Sequence, residues 1–246
     1  MTKTLKGIFV LLIAVVALCS VSAFAAEQNT ALEDRFATAI ASYETTVDVT
    51  EFNMTANDVM TAFLAYLDET PRNFFVSKTV NCSYSTATNM AATLTISYNG
   101  SVDTINAELA AFDAKVANIT ALVDSTMTAE EKAKVIHNYF IENCSYDMDF
   151  AHYTAYDAIV NGVGVCDAYS AAYMYIMNAV GVPCTIVESV AMNHSWNVIE
   201  VNGVQYHVDV TWDDPIVDGA NTNTTPYYNN FMKSDAEISV DHYAWS

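Results

Sequence analysis

The sequence predicts an α+β protein, because helical and strand-like hydrophobic patterns alternate along a chain with enough apolar residues to bury a core. Of its 246 residues, 52% are hydrophobic and 12% are aromatic, whereas only 15% are charged. This composition is typical of a folded protein rather than of an acidic disordered chain. The formal net charge of −20 disfavours binding to a phosphate backbone or an anionic membrane surface. We therefore expect no nucleic acid partner.

The first 25 residues have the pattern of a secretory signal peptide. Lys3 and Lys6 precede an apolar run over residues 8–18, and small residues around Ala25 suit a cleavage site. The run is shorter than the roughly 20 residues that a membrane-spanning helix needs. We therefore predict cleavage after Ala25, no membrane insertion after cleavage, and a secreted, extracellular or cell-surface protein.

Residues 26–124 are predicted to form an N-terminal α/β accessory region. Apolar residues recur there every three or four positions in the helical segments and every second position in the strand. The predicted elements are a helix through Leu32, Phe36 and Ile40, a helix from Ala56 to Pro71, a strand over Ala92, Leu94, Ile96 and Tyr98, and a helix from Val102 to Asp124. We place the domain boundary after Asp124, where Ser125 and Thr126 interrupt the helical pattern.

Residues 125–246 predict a second domain, again with helices and strands. A capping box, Thr128 with Glu131, opens its first helix. The other predicted elements are a helix from Cys166 to Gly181 and strands over Thr185–Val190, His194–Val201 and Val204–Val210. The last two strands are separated only by Asn202-Gly203, which is typical of a two-residue hairpin turn.

Cys166 lies where the glycine-bearing segment Gly162-Val163-Gly164-Val165 meets the start of the predicted helix. The unpaired N–H groups and positive dipole end of a helix N-terminus stabilise a thiolate, the nucleophilic form of cysteine. Taken alone, the position also suits a small buried residue that starts a packed helix. A neighbouring histidine and aspartate favour the reactive alternative.

The register of the predicted hairpin brings that histidine and aspartate together. If Asn202-Gly203 forms a two-residue turn, Trp196 lies opposite Asp209. His194 then shares a face with Asp209 at a diagonal distance of about 7 Å, which the two side chains can bridge. The aspartate would fix the imidazole tautomer and leave the second ring nitrogen to accept a thiol proton. A half-buried pair that only stabilises the sheet is the alternative.

Three sequence blocks carry a resemblance to a known family. They are Gly164-Val165-Cys166-Asp167-Ala168-Tyr169, His194-Ser195-Trp196-Asn197 and Val208-Asp209-Val210-Thr211-Trp212-Asp213-Asp214-Pro215. In this order they resemble the blocks of the bacterial transglutaminase-like superfamily of papain-like thiol enzymes, over about the last half of the chain. The resemblance implies a papain-like core, with the cysteine on a helix that packs on an antiparallel sheet bearing the histidine and aspartate. It implies Cys166 as nucleophile, His194 as base and Asp209 as the partner that orients the base.

The resemblance also implies a secreted thiol enzyme that acts on peptide or protein amide bonds through a thioester intermediate. Release of the thioester by water would make the protein a peptidase or amidase, which we favour for an exported chain without visible calcium sites. Release by a lysine amine would make it a cross-linking transglutaminase. A non-catalytic module that binds cell-surface or peptide ligands is the third alternative. We expect a protein or peptide substrate, no cofactor and no metal ion.

Two residues depart from the pattern of many relatives, which have glycine in place of Ala168 and alanine in place of Ser195. Both changes are small and leave the reactive groups intact. The Cys166 N–H is a natural donor to an oxyanion. Tyr156 is a candidate for a second, side-chain donor, although packing in the core is the more common role of an aromatic residue.

The remaining candidate ligands show no recognised metal spacing. They are His137, His152, His207 and His242, together with Asp213, Asp214 and Asp218, which lack the alternation of an EF-hand loop. We interpret the three aspartates as loop and capping residues. Cys82, Cys144 and Cys184 leave their disulfide pairing open, and at least one of the three must be a free thiol.

Overall fold

The computed structural model describes residues 29–214, 216–217, 220–221 and 226–246. The predicted signal peptide lies outside these residues. The described chain falls into two compact units, one that runs to Leu67 and includes Val76–Asn99, and one that combines Asp68–Phe75 with Gly100–Ser246. No helix in the described ranges is long and apolar enough to cross a membrane.

The first unit combines helices with a three-stranded antiparallel sheet. Its elements are α1 over residues 29–41, β1 Thr46–Asp48, α2 Ala56–Glu69, β2 Asn81–Tyr84 and β3 Ala91–Thr95, with the strand order β1-β3-β2. The predicted apolar faces are buried, as for Phe36 in α1 and Phe63 in α2. The predicted strand is shorter than expected, because beyond Thr95 the chain instead forms an isolated bridge from Tyr98 to Val76.

The second unit contains the longer helices and a second antiparallel sheet. Its main elements are α3 Val102–Thr120, α4 Ala129–Asn143, α5 Cys166–Ala179, β6 Cys184–Ser189, β7 His194–Val201 and β8 Val204–Val208, with the strand order β6-β7-β8. Shorter elements are the parallel pair β4 Ser145–Tyr146 and β5 Val163–Gly164, a π-helical turn Asp157–Asn161, the pair β9 Ile216–Val217 and β10 Ala220–Asn221, and α6 Asp235–Ile238. Helix and antiparallel sheet thus combine as the predicted α+β class requires.

Local sequence accounts for the ends of these elements. The capping box at the start of α4 is present, with the Thr128 side chain and Glu131 each accepting a backbone hydrogen bond from the other residue. At the hairpin between β7 and β8, Asn202 and Gly203 have φ values of 55° and 78°. Two successive positive φ angles are the signature of a tight type I′ turn, which fixes the register of the two strands.

The core of the second unit lies around α5, whose side chains are buried along most of its length. Phe112 and Ile119 of α3 belong to this same core. The break in the helical pattern after residue 124 predicts that α3 belongs to the N-terminal region. In the structure this break only separates α3 from α4, and α3 packs with the second unit.

Candidate active site

Cys166 is the first residue of α5, and its side chain is partly exposed. Val165, the residue before the helix, is extended and makes no side-chain hydrogen bond to the helix end. The first N–H groups of α5 are therefore available to stabilise negative charge near the thiol. The structure places Cys166 at the helix N-terminus that its sequence context predicts.

The backbone that leads into Cys166 is held by the loop that follows β4. The Asp147 N–H donates to the Gly164 carbonyl over 3.0 Å, and the Val165 N–H donates to the His152 carbonyl over 3.0 Å. These two hydrogen bonds tie residues 147–152 to the last residue of β5 and to Val165, the residue immediately before the cysteine. The position of the thiol therefore depends on a loop that no periodic sequence pattern reveals.

The Asp147 carboxylate organises this loop from within. It accepts hydrogen bonds from the N–H groups of Ala151 at 2.6 Å, His152 at 2.9 Å and Asp149 at 3.0 Å, and its Oδ2 lies 2.9 Å from His152 Nδ1. The bond from Ala151 is the largest influence, and together with the others it lowers the pKa of Asp147 to about 2. Asp147 therefore remains ionised over the pH range in which the protein would function.

The hairpin of β7 and β8 brings His194 to Asp209, in the predicted register. Val201 pairs with Val204 and Asn197 pairs with Val208, so that Asp209 is the next residue after the paired segment. His194 Nε2 lies 2.6 Å from Asp209 Oδ2. Because Nε2 is hydrogen-bonded to the aspartate, Nδ1 is the ring nitrogen that can exchange a proton with the Cys166 thiol.

The surroundings of His194 favour its protonated form. Its ring is nearly parallel to those of Trp196 and Trp212, with centroid distances of 5.7 and 5.2 Å and interplanar angles of 21° and 23°. Burial is the largest single influence and lowers the pKa of His194, but hydrogen bonding to Asp209 and Cys166 and the charges of both outweigh it. The net effect raises the pKa of His194 to about 9. An imidazolium beside Cys166 is the natural counter-ion of a thiolate.

Asp209 is completely buried and is held by three hydrogen bonds. Oδ1 accepts the Trp212 N–H over 3.0 Å, and Oδ2 faces both His194 and His242. Burial raises the pKa of Asp209, but the hydrogen bonds from the two histidines, the charge of His194 and the Trp212 N–H together hold it below its usual value. A buried carboxylate with this many donors is an effective partner for an imidazolium.

His242 is a buried member of the site that the sequence analysis missed. Its Nε2 lies 3.0 Å from the Asp209 oxygen that also bonds His194. The three residues form the one cluster of possible metal ligands among the described residues. The 2.6 Å between His194 Nε2 and Asp209 Oδ2 is nevertheless shorter than the roughly 3.3 Å expected between two ligands on a tetrahedral zinc ion. The cluster is a hydrogen-bonded one.

A second polar network joins α5 to β7 beside the thiol. Ser195 Oγ donates to Asp167 Oδ1 over 2.9 Å, and Cys166 Sγ lies 3.8 Å from the same oxygen. Ser170 Oγ donates to the Cys166 carbonyl over 2.8 Å and lies 3.3 Å from Ser195 Oγ. The helix that carries the cysteine and the strand that carries the histidine are therefore linked by side chains as well as by packing. Ser195, a departure from many relatives, takes part in this link.

Tyr156, the candidate second donor, lies in a different environment from Tyr146, which the sequence analysis does not single out. Tyr156 packs against Phe74, with ring centroids 4.6 Å apart, which is the core role that an aromatic residue most often has. Tyr146 instead lies near the thiol. Burial, followed by the negative charges of Cys166 and Asp167, raises the pKa of Tyr146. Tyr146 is therefore the better candidate for a hydroxyl that acts at the site.

The other buried histidines and aspartates stabilise the fold. His137 Nε2 lies 3.0 Å from Asp213 Oδ2, and both side chains are completely buried. The Asp214 carboxylate accepts a hydrogen bond from the Tyr169 hydroxyl over 2.6 Å. His207 Nδ1 accepts the Trp196 indole N–H over 2.9 Å. Asp218, the third aspartate of the loop, lies outside the described residues.

None of the described cysteines forms a disulfide: these are Cys82, Cys144, Cys166 and Cys184. Cys144 and Cys184 are buried, whereas Cys82 is partly exposed. Burial raises the pKa of Cys82 and of Cys184, and it raises the pKa of Cys144 to about 12. These three thiols are therefore protonated at neutral pH and poor nucleophiles.

Comparison with known proteins agrees with the resemblance of the sequence blocks. Residues 115–215 match the model of the transglutaminase-like superfamily. Similar solved structures include a TGase at 10% identity and TM-score 0.37, a candidate cysteine protease from Cytophaga hutchinsonii at 11% and 0.35, and a candidate protease from Parabacteroides distasonis at 13% and 0.31.

The three structural matches are partial. They cover 58%, 54% and 53% of this chain, which in turn spans 47%, 61% and 30% of those proteins. No curated protein matches the chain. The match to the family model coincides with the part of the chain that contains α5, β7 and β8. Residues 115–215 of the chain are thus similar to the transglutaminase-like superfamily.

Proposed function

We propose that the protein is a thiol enzyme that hydrolyses peptide or protein amide bonds, with Cys166 as nucleophile, His194 as acid and base, and Asp209 as the partner of His194. The observation that carries the proposal is the contact of 2.6 Å between His194 Nε2 and the buried Asp209 carboxylate. It leaves Nδ1 of a ring with a raised pKa toward the thiol at the start of α5. This is the arrangement that an activated cysteine requires.

The reaction would proceed through a thioester. The Cys166 thiolate attacks the amide carbon, a C–S bond forms, and the carbonyl electron pair moves onto oxygen. As the carbonyl re-forms, the C–N bond breaks and the His194 Nδ1–H gives its proton to the departing amine. Water then attacks the thioester while Nδ1 takes one of its protons. The C–S bond breaks, which releases the acid and restores the thiolate and imidazolium.

The negative oxygen of the intermediate needs hydrogen-bond donors. The Cys166 N–H is at the N-terminus of α5, where the first N–H groups of a helix have no intrahelical partners. The Tyr146 hydroxyl, close enough to Cys166 for the two charges to interact, would be the second donor. Both groups are neutral, so they stabilise the oxyanion without competing with the thiolate for the His194 proton.

We further propose that the enzyme acts outside the cytoplasm on a protein or peptide. The support is the sequence pattern of residues 1–25, in which lysines precede a short apolar run and small residues follow it. The net charge of −20 would favour substrates that carry basic residues.

The test combines hydrolysis and amine transfer in one assay. Purified protein is incubated with casein, which contains glutamine, and a fluorescent primary amine, and the products are analysed by mass spectrometry. We expect cleavage or deamidation of casein, lost in Cys166→Ala and retained in Cys82→Ala, a change of a partly exposed cysteine in the first unit. Equal activity in Cys166→Ala would overturn the proposal.

The same assay identifies the alternatives. If the fluorescent amine is incorporated in preference to hydrolysis, the protein is a cross-linking transglutaminase. If casein peptides bind without any covalent change and Cys166 does not react, the protein is a binding module. Thermal unfolding of each variant shows whether a lost activity reflects a lost fold.

A further inference from the structure

A second histidine shares the carboxylate that orients His194. His194 Nε2 and His242 Nε2 lie 2.6 and 3.0 Å from the same oxygen, Oδ2 of Asp209. The Asp209 and His242 side chains are completely buried, and that of His194 is 7% exposed. Two imidazole rings therefore share one carboxylate oxygen as a hydrogen-bond partner, in a site from which water is largely excluded.

The second nitrogen of His242 also faces a carboxylate. Nδ1 lies 2.7 Å from Oδ1 of Asp241, whose side chain is 51% exposed. A neutral imidazole carries only one N–H, so it cannot donate to a carboxylate from both nitrogens. Both contacts can be donated by the ring only if each of its nitrogens carries a proton, so that His242 would lie as a cation between Asp209 and Asp241.

The position of His242 is fixed by the end of the chain. Its N–H donates to the Ile238 carbonyl over 2.9 Å, at the end of α6. A few residues later, Ser246 and Glu188 of β6 exchange two backbone hydrogen bonds of 3.1 and 3.2 Å. The Ser189 hydroxyl donates to the Tyr243 carbonyl over 2.7 Å. The last residues of the chain are thus attached to the edge of the sheet that carries His194.

The ring of His242 is enclosed by the same tryptophans as that of His194. Its centroid lies 4.7 Å from Trp196, 4.4 Å from Trp212 and 5.8 Å from the His194 ring. The titratable groups that face it are His194, His207, Asp209 and Asp241. Two like charges at this distance in a buried site each disfavour protonation of the other ring.

We propose that His242 is a positioning residue of the site, whose N–H holds the Asp209 carboxylate toward His194 and whose positive charge limits how strongly that carboxylate retains the His194 proton. This inference rests on the proposed function, since it concerns the acid and base of that reaction. His194 must keep its proton to form the ion pair and give it up to the departing amine. His242 balances these two demands.

The test measures proton binding by His194 directly. Protein with ¹³C-labelled histidine is titrated by NMR as wild type, as His242→Gln and as His137→Gln. Glutamine can still donate a hydrogen bond to Asp209 but carries no charge. We expect the His194 midpoint to rise by at least about half a pH unit in His242→Gln. His137→Gln, which breaks a different buried histidine–aspartate pair, should leave that midpoint unchanged.

A measurement on the wild type supplements the variant, in case His242→Gln does not fold. The ring ¹⁵N shifts of His242 at neutral pH report whether both nitrogens are protonated, and a neutral ring would overturn the inference. An unchanged His194 midpoint in a folded His242→Gln protein would overturn it too. Either result leaves the proposed function intact if Cys166→Ala still abolishes hydrolysis, so the two failures can be distinguished.

Discussion

A Cβ atom on Gly164 would lie 2.4 Å from the Cβ atom of Ala168. This is far shorter than any van der Waals contact, so the first turn of α5 reaches β5 only because residue 164 has no side chain. Gly164 also accepts a hydrogen bond from the Asp147 N–H. The contact between Gly164 and Ala168 thus fixes where the first turn of α5, which begins with Cys166, lies against β5.

Gly164→Ala should displace the thiol. We expect the overpacked contact to lower the free energy of unfolding by about 1–3 kcal/mol. A shift of α5 of the order of 1 Å should slow casein hydrolysis by about 100-fold. Urea unfolding and the hydrolysis assay measure the two effects.

Gly181→Ala is the matched control for this substitution. Gly181 follows α5 at its other end, has a φ of +79°, and has no heavy atom within 4 Å of an added Cβ. The variant should lose stability through backbone strain alone and keep its hydrolysis rate. If Gly164→Ala is as active as Gly181→Ala, the contact with Ala168 does not position the thiol.

The four described thiols should differ sharply in reactivity. We expect iodoacetamide to alkylate Cys166 first at neutral pH, because it is partly exposed at a helix N-terminus beside a protonated histidine. Cys144 and Cys184 should react only after unfolding, since burial raises the pKa of both thiols. Mass spectrometry of peptides from native and urea-treated protein measures this order. In His194→Ala, alkylation of Cys166 should slow by at least about tenfold.

Much of the candidate site can be predicted from sequence because local rules determine it. Asn202-Gly203 dictates the turn, the turn dictates the register, and the register places His194 beside Asp209. The start of α5 at Cys166 likewise follows from the glycine-bearing segment before it and the apolar pattern after it. Each of these inferences spans a short stretch of chain.

The parts that were missed depend on contacts between distant residues. His242 follows Asp209 by 33 residues, and its sequence context, Val240-Asp241-His242-Tyr243-Ala244, contains no recognised motif. Asp147 is linked to the site by its N–H, which donates to the carbonyl of Gly164, 17 residues further along the chain. The structure places α3 in the same compact unit as α4, and a break between helices in the sequence does not show which core each helix joins. Tertiary packing decides all three.

Asp209→Asn should change how stability depends on pH. The pKa of His194 is raised from 6.5 to about 9 in the folded protein. Its protonation therefore contributes stability that is complete below pH 6.5 and is lost as the pH rises through 9. Without the carboxylate the pKa of His194 should fall, so the decline in unfolding free energy across this range should become smaller. Hydrolysis should fall by roughly 10⁴-fold.

Urea unfolding at several pH values across this range measures the slope. Asp213→Asn provides the control, because Asp213 is an equally buried aspartate that contacts His137 rather than His194. It should reduce stability at every pH and leave the slope as it is in the wild type. A steep slope retained in Asp209→Asn would contradict the assigned partner of His194.

Tyr146→Phe tests whether a side-chain hydroxyl stabilises the oxyanion. We expect hydrolysis of casein to fall by about 10²-fold or more, as for loss of one oxyanion donor. Alkylation of Cys166 by iodoacetamide should be unchanged, because that reaction forms no oxyanion. Tyr156→Phe is the control, since Tyr156 packs against Phe74, and it should hydrolyse casein at the wild-type rate. If Tyr146→Phe also hydrolyses casein at the wild-type rate, the Cys166 N–H stabilises the oxyanion without a tyrosine. If alkylation of Cys166 slows as much as casein hydrolysis does, Tyr146 acts on the thiol rather than on the oxyanion.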